Sequence, residues 1–458
     1  MKKLFLLFLS ALTAAMLFAS PSLAYTLPAS TVVHARSALL YSLDTETIVY
    51  EKDIDETMYP ASLQKMMVAL LVIEREPNLD RTLTVSSNAV NELLGTGAAV
   101  ANLKAGEEMT VRDLLYCLLL PSACDAANVL AETYGGSIAG FVDLMNEKAA
   151  ALGMESTHFA NAHGLHHDDQ HTTARDILQL ALAVSQSEEL MTICSSTRHI
   201  IEPTNKNDRR VLVSTVWLQD KMTNYYYKYA KGIKTGYTES AGRCVVSTAE
   251  KDGSRYLCVV MGCAEKDEQG NRVRYEFVDS KALYEWAFSD LTKARLVELD
   301  KPVTEIRVEL CSQKDFMQLV PAETLTAIVP KEAQSSVILE PVLNSQSVEA
   351  PINKGDVLGY AVVKCAGEEL GQVDLVAAGS LERSELLAFW KGFKNVVTSP
   401  LFLILVAVVI LLIVGFILLV IIQNRNRRRP RQVRSARERE LRPEYRNPQD
   451  NPDDRRRR

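Results

Sequence analysis

The run LFLILVAVVILLIVGFILLVII, residues 401–422, constrains this chain more than any other feature. Its 22 residues carry no charge. In lipid every backbone N–H and C=O must be satisfied within the segment, so an isolated run of this kind has to be a helix. At ~1.5 Å per residue it reaches ~33 Å, about one hydrocarbon thickness. Arg425, Arg427, Arg428, Arg429 and Arg431 follow at once. Arginine and lysine flanking a span stay on its cytoplasmic side. The bulk of the chain is therefore expected outside, with residues 423–458 as a basic cytoplasmic tail. The other end agrees. Residues 1–24, MKKLFLLFLSALTAAMLFASPSLA, have a charged start at Lys2 and Lys3, an apolar centre and a small-x-small ending. That is the pattern of a secretory signal peptide. The expectation is a single-pass protein of the cell membrane with a large ectodomain.

Charge is divided between these parts. The tail holds 14 Arg against 6 acidic residues and the leader adds two Lys, so a whole-chain charge of −6 leaves residues 25–400 at −16. An ectodomain that acidic excludes nucleic acid as its natural partner. Beside a span, the basic tail points to anionic lipid headgroups. Eight Cys in 458 residues are too sparse for a disulfide scaffold. Cys244 and Cys258 flank the turn Lys251-Asp252-Gly253 and are the one pair the pattern offers for a bridge.

Between leader and span the pattern changes twice. Residues 25–292 mix strands and helices. SALLYSLDTETIVYEKD reads as two strands around a turn, and SLQKMMVALLVIERE as a long helix. Residues 111–134 read as two helices broken near Pro121. GIKTGYT, GRCVVSTAE and SRYLCVVMGCA read as successive strands, and DSKALYEWAFSDL as a closing helix. This order predicts an α+β domain, helices covering an antiparallel sheet. Residues 296–380 alternate in short runs separated by Pro and Gly, a small all-β domain. In residues 381–400, Leu386, Phe389, Trp390 and Phe393 fall at i, i+3, i+4 and i+7, which fits an amphipathic helix at the membrane interface.

Three short patterns carry chemistry. In PASLQK, Ser62 and Lys65 are three apart, on one helical face. A serine hydroxyl needs a base, and a lysine serves when burial depresses its pKa. In GIKTGYT, Lys234 and Thr235 lie on a strand followed by Gly236, where an extended substrate can add to the strand edge. In LLLPSACDAANVLAE, Ser122 follows Pro121 at the break between helices. Each pattern alone has a structural reading: a capped helix with a surface lysine, a strand end, a packed helix. The order S-x-x-K, S-x-C, K-T-G is what carries weight.

With these motifs the chain resembles the low-molecular-weight penicillin-binding proteins, serine-type D-alanyl-D-alanine carboxypeptidases. YPASLQKMM, LKAGEEMTVRDLLYCLLLPSACDAANVLAE, MNEKAAALGMESTHFANAHGL, HTTARDI and GIKTGYTESAG resemble family segments in order. VPAETLTAIVP and APINKGDVLGYAVV resemble its second domain. The resemblance implies a serine β-lactamase/DD-peptidase-like catalytic domain and no cofactor. It implies Ser62 as acylated nucleophile, Lys65 as general base and Ser122 as proton relay. Lys234 and Thr235 would bind the substrate carboxylate, beside Gly236. The backbone N–H groups of Ser62 and Tyr237 would form the oxyanion hole. The implied substrates are peptidoglycan stem peptides ending in D-Ala-D-Ala, and β-lactams would trap the same serine.

Cys124 departs from the pattern, standing where the family carries a substrate-binding Asn. A thiol donates and accepts more weakly than a carboxamide, so a catalytically impaired peptidoglycan- or penicillin-binding protein is the alternative. Arg243 and Arg274 are both candidates for the family's carboxylate-binding arginine. A β-lactamase would need a water-activating Glu in E-x-x-L-N between the second and third motifs. The chain's one such string, Glu340 to Asn344, comes after the third. Five of the seven His fall between His158 and His171, but their spacing is irregular for a metal site.

Overall fold

The computed structural model describes residues 25–365 and 367–427. The expected signal peptide and most of the basic tail lie outside the described residues.

The central sheet has five antiparallel strands: β1 (Ser37–Ser42), β2 (Thr47–Lys52), β7 (Ala230–Thr238), β8 (Gly242–Lys251) and β9 (Ser254–Cys263), ordered β2-β1-β9-β8-β7. Two short hairpins, β3 (Thr82–Thr84) with β4 (Glu108–Thr110) and β5 (Arg198–Ile201) with β6 (Arg210–Val213), lie outside it. Successive side chains on a strand point to opposite faces, and the sheet buries both. Leu39, Val246, Leu257 and Val259 join one core cluster with the helical residues Met66, Leu118 and Phe141. Leu40, Val245, Cys258 and Val260 join the other with Phe277 and Tyr284. The helices of the first layer are α1 (Lys65–Arg75), α2 (Ser87–Asn91), α3 (Val111–Leu119), α4 (Cys124–Gly135), α5 (Ile138–Ala151), α6 (Ala174–Ser185) and α7 (Glu188–Cys194). The opposite face is covered by α8 (Tyr275–Asp290). Strand β7 closes the order at one side, so one of its edges is unpaired.

The Cys244–Cys258 bridge that the turn offered does not form. All eight Cys are free. Cys244 pairs across to Gly236 and belongs to the helix-side core, whereas Cys258 pairs to Ser247 and belongs to the α8-side core. The two thiols point through opposite faces of the sheet.

A β-rich region follows. Strands β10 (Leu291–Arg295) and β13 (Thr326–Pro330) pair antiparallel, and β12 (Phe316–Pro321), β14 (Val337–Leu343), β16 (Val357–Cys365) and β17 (Glu368–Ala377) form antiparallel ladders β14-β16-β17-β12. A second compact unit comprises residues 307–316, 347–352 and 380 onward. In it β11 (Thr304–Glu309) and β15 (Ser347–Glu349) pair in parallel. Helix α9 (Glu385–Val397) carries the expected aromatic face, with Leu386, Phe389, Trp390 and Phe393 exposed. Its Lys391 reaches Glu309 and Glu349. Only Thr398 and Ser399 separate it from α10 (Pro400–Arg427). Residues Pro400–Arg425 of α10 are long and apolar enough to cross a membrane, with a mean hydropathy of 3.7.

Candidate active site

Ser62 stands in a 3₁₀ turn, Ala61–Gln64, immediately before α1. With three residues per turn, side chains at i and i+3 eclipse. The S-x-x-K spacing thus becomes direct contact: Lys65 Nζ lies 2.9 Å from Ser62 Oγ. Ala61 takes φ = 46°, a left-handed conformation that costs a β-carbon residue about 1–3 kcal/mol and persists only where its surroundings enforce it. Two glycines let their backbones pack directly against this turn. A Cβ on Gly164 would fall 2.6 Å from the Ala61 carbonyl oxygen, and one on Gly236 would fall 3.3 Å from Ser62 N. The close approach that Gly236 permits is that of β7 to the Ser62 turn.

The break between α3 and α4 brings the second motif to the same amine. Ser122 has φ = 67°, and this kink turns its hydroxyl inward. Lys65 Nζ lies 3.3 Å from Ser122 Oγ and 3.4 Å from Cys124 Sγ. A neutral amine has two N–H groups and one lone pair. In that form Lys65 can give its N–H groups to Ser122 and Cys124 and turn its lone pair to the Ser62 hydroxyl. Lys65 is fully buried and pairs with no carboxylate among the described residues. Burial therefore lowers its pKa below the ordinary lysine range, opposed by Cys124 and, more distantly, by Asp125. The Cys124 thiol also contacts the His163 carbonyl at 3.6 Å. The His163 ring is held down to about 4, by burial first and by Lys65 second, and adds no positive charge here.

The third motif forms the opposite side. Lys234 is fully buried, and its Nζ donates to the Thr235 carbonyl at 2.8 Å. Burial, and then the neighbouring Lys65, push its pKa well below the usual value. Thr235 Oγ1 lies 2.6 Å from Thr215 Oγ1, and Thr215 N donates to the Leu120 carbonyl at 3.1 Å. These bonds link β7 to the α3–α4 break.

Above these groups opens a cleft of about 390 Å³, lined by Ser62, Ser122, Cys124, Thr235, Gly236 and Tyr237 together with Trp217 and both candidate arginines. Arg274 lies 4.2 Å from the Trp217 ring centroid and is ion-paired to buried Glu276 at 2.6 Å. Arg243 lies 4.6 Å from the Tyr237 ring centroid and is paired to Glu265 at 3.0 Å. A larger hollow of about 490 Å³, lined by Tyr41, Lys231 and Arg255, contains no nucleophile–base pair. The chemistry belongs to the smaller one.

Every motif residue expected from the sequence thus lies in or beneath one cleft. Thr215, Trp217, His163 and Gly164 were not foreseen, because single residues in loops carry no spacing signal. Gly164 alone had a hint, the invitation of a glycine to close approach. Glu340 of E-x-x-L-N lies on β14 in a 2.7 Å ion pair with Lys364. Among the described residues no three His, Cys, Asp or Glu side chains cluster at metal-binding distance; His158 and His171 instead face each other across a β-bridge.

A family model described as D-alanyl-D-alanine carboxypeptidase matches residues 24–265, and one described as the penicillin-binding protein 5 C-terminal domain matches residues 292–383. The D-alanyl-D-alanine carboxypeptidase DacF of Bacillus subtilis is 29% identical over 360 residues, covering 78% of this chain and 88% of that protein. The structure of D-alanyl-D-alanine carboxypeptidase DacD from Francisella tularensis aligns with a TM-score of 0.65 at 24% identity, over 78% of this chain and 96% of that one. Penicillin binding protein 5 from Haemophilus influenzae aligns at 0.59 and 25% identity, over 78% of this chain and all of the other.

Proposed function

The chain belongs to the D-alanyl-D-alanine carboxypeptidase family, and from that premise we propose that Ser62 is its nucleophile and that stem peptides ending in D-Ala-D-Ala are its substrates. The observation that carries this reading is the Lys65 amine, buried without a counter-ion, 2.9 Å from Ser62 Oγ and 3.3 Å from Ser122 Oγ. Neutral Lys65 takes the Ser62 proton as Oγ attacks the carbonyl between the two D-Ala residues. The oxyanion forms against the N–H groups of Ser62 and Tyr237. Ser122 passes a proton from Lys65 to the leaving amine, the peptide bond breaks, and free D-Ala departs. Water then attacks the ester, and Ser62 regains its proton.

The substrate lies along the open edge of β7. Its terminal carboxylate is met by the Thr235 hydroxyl and by Arg274, whose guanidinium is braced on Trp217 and Glu276 at the cleft wall. Buried Lys234 donates to the Thr235 carbonyl at 2.8 Å and so holds the strand beneath that carboxylate. A β-lactam presents the same carboxylate and carbonyl and leaves a slowly hydrolysed ester on Ser62. Cys124 supports an active enzyme over an impaired one, because its sulfur keeps contact with both Lys65 and the His163 carbonyl. The catalytic domain spans residues 25–292 and the β domain residues 296–380. The interfacial helix and the span hold both on the outer side of the cell membrane, with the basic tail inside.

The test is D-Ala release by the detergent-solubilised full-length chain from a diacylated Lys-D-Ala-D-Ala peptide. Sustained turnover is expected, with nitrocefin hydrolysed only slowly. Penicillin labelling without any D-Ala release would instead favour the impaired binding protein, and rapid nitrocefin turnover a β-lactamase.

A further inference from the structure

The proposed reaction needs Ser122 on Lys65, and Cys124 touches the same amine. The next residue, Asp125, is only 2% exposed, and among the described residues it has no lysine or arginine partner. Its carboxylate is committed to backbone. Oδ1 accepts from Ala101 N at 2.9 Å and Oδ2 accepts from Leu103 N at 3.0 Å. One residue before it, Cys124 N donates to the Ala99 carbonyl at 2.7 Å. Residues 99, 101 and 103 are thereby stitched to the first turn of α4. The same segment supplies Gly97, Ala98 and Ala99 to the cleft wall facing β7. It is gripped from its other side as well, since Arg210 donates to the Ala101 carbonyl at 3.1 Å while paired to buried Glu107.

A carboxylate in the first turn of a helix interacts favourably with the positive end of the helix dipole. Charge-assisted bonds to two amides are about twice as strong as neutral ones. Asp125 is therefore the strongest tie between the wall and the turn that carries Ser122. We propose that Asp125 is a positioning residue for the acylation step: its buried carboxylate locks the 97–103 wall to the first turn of α4 and so holds Ser122 and Cys124 on Lys65. This rests on the functional reading above. Asp125 also bears on that amine directly, because its negative charge opposes the effect of burial on Lys65.

The experiment measures penicillin acylation and D-Ala release by the full-length protein in detergent, as a function of pH, per folded molecule by circular dichroism. Asp125→Asn keeps the volume but loses the charge and one acceptor. It is expected to slow acylation by roughly 10²-fold, the scale of a small misplacement of reacting groups, and to move the acid limb of the rate profile to lower pH. Arg210→Lys loosens the other grip without changing the charge beside Lys65. It should slow acylation less and leave the acid limb in place. Wild-type acylation by folded Asp125→Asn, or a loss with its acid limb unmoved, overturns the inference. Should that variant not fold, wild-type acylation by Arg210→Lys overturns it. A wild-type protein that neither releases D-Ala nor takes up penicillin would instead remove the functional reading.

Discussion

Lys65, beneath the cleft, and Lys391, on α9, have similar numbers of polar neighbours but different kinds. Lys65 is buried among a serine pair and a thiol and pairs with no carboxylate. Lys391 is half exposed and meets two carboxylates, Glu309 and Glu349. Burial lowers the first amine's pKa, and the paired glutamates raise the second's. The fold thus lowers one lysine's pKa by withholding a counter-ion and raises the other's by supplying two. Withholding is the costlier choice, since a buried amine without a partner opposes folding, and cost without structural benefit marks a functional site. The strained φ values at Ala61 and Ser122, on either side of the same amine, belong to that cost.

The most severe way to break the comparison is Ser62→Ala. Loss of a nucleophile from such a unit costs about 10⁶-fold in turnover, so D-Ala release should fall to background. Ser122→Ala comes next, with a loss of ~10²–10⁴-fold for a displaced proton relay, read from the same assay. The pH profile sharpens the contrast. On the proposed mechanism Lys65 acts while neutral, so acylation should persist as pH falls below the ordinary lysine range and disappear only when pH passes through the lowered pKa. A limb in the ordinary lysine range would mean that burial does not set the base. Cys124→Ala should cost less than about tenfold, because a weak sulfur contact and packing are all it removes. Equal losses for Ser122→Ala and Cys124→Ala would make the thiol part of the relay. Lys391→Ala should change D-Ala release from a soluble peptide by less than about twofold, since exposed ion pairs contribute ~0–1 kcal/mol.

Much of this was legible in the sequence, because the site is built from local spacings. Ser62 and Lys65 share one turn, and Lys234 to Tyr237 share one strand. The short apolar runs of β1, β8 and β9 and the long one of α10 report their own elements. What was not legible depends on long-range approach. The pairing of Cys244 with Gly236, not with any residue near Cys258, follows from register, which a hairpin turn alone did not reveal. Thr215, His163 and Gly164 reach the site through loops. Asp125, in a helix whose residues otherwise read as packing, ties down a wall more than twenty positions earlier in the chain.

The central claim, that a neutral Lys65 activates Ser62, is tested most directly by peptide-mapping mass spectrometry of the detergent-solubilised full-length protein after penicillin. The account predicts one penicilloyl adduct per chain on the peptide containing Ser62, formed at neutral pH and absent in Lys65→Ala. An adduct on another residue, or undiminished labelling of Lys65→Ala, would contradict it.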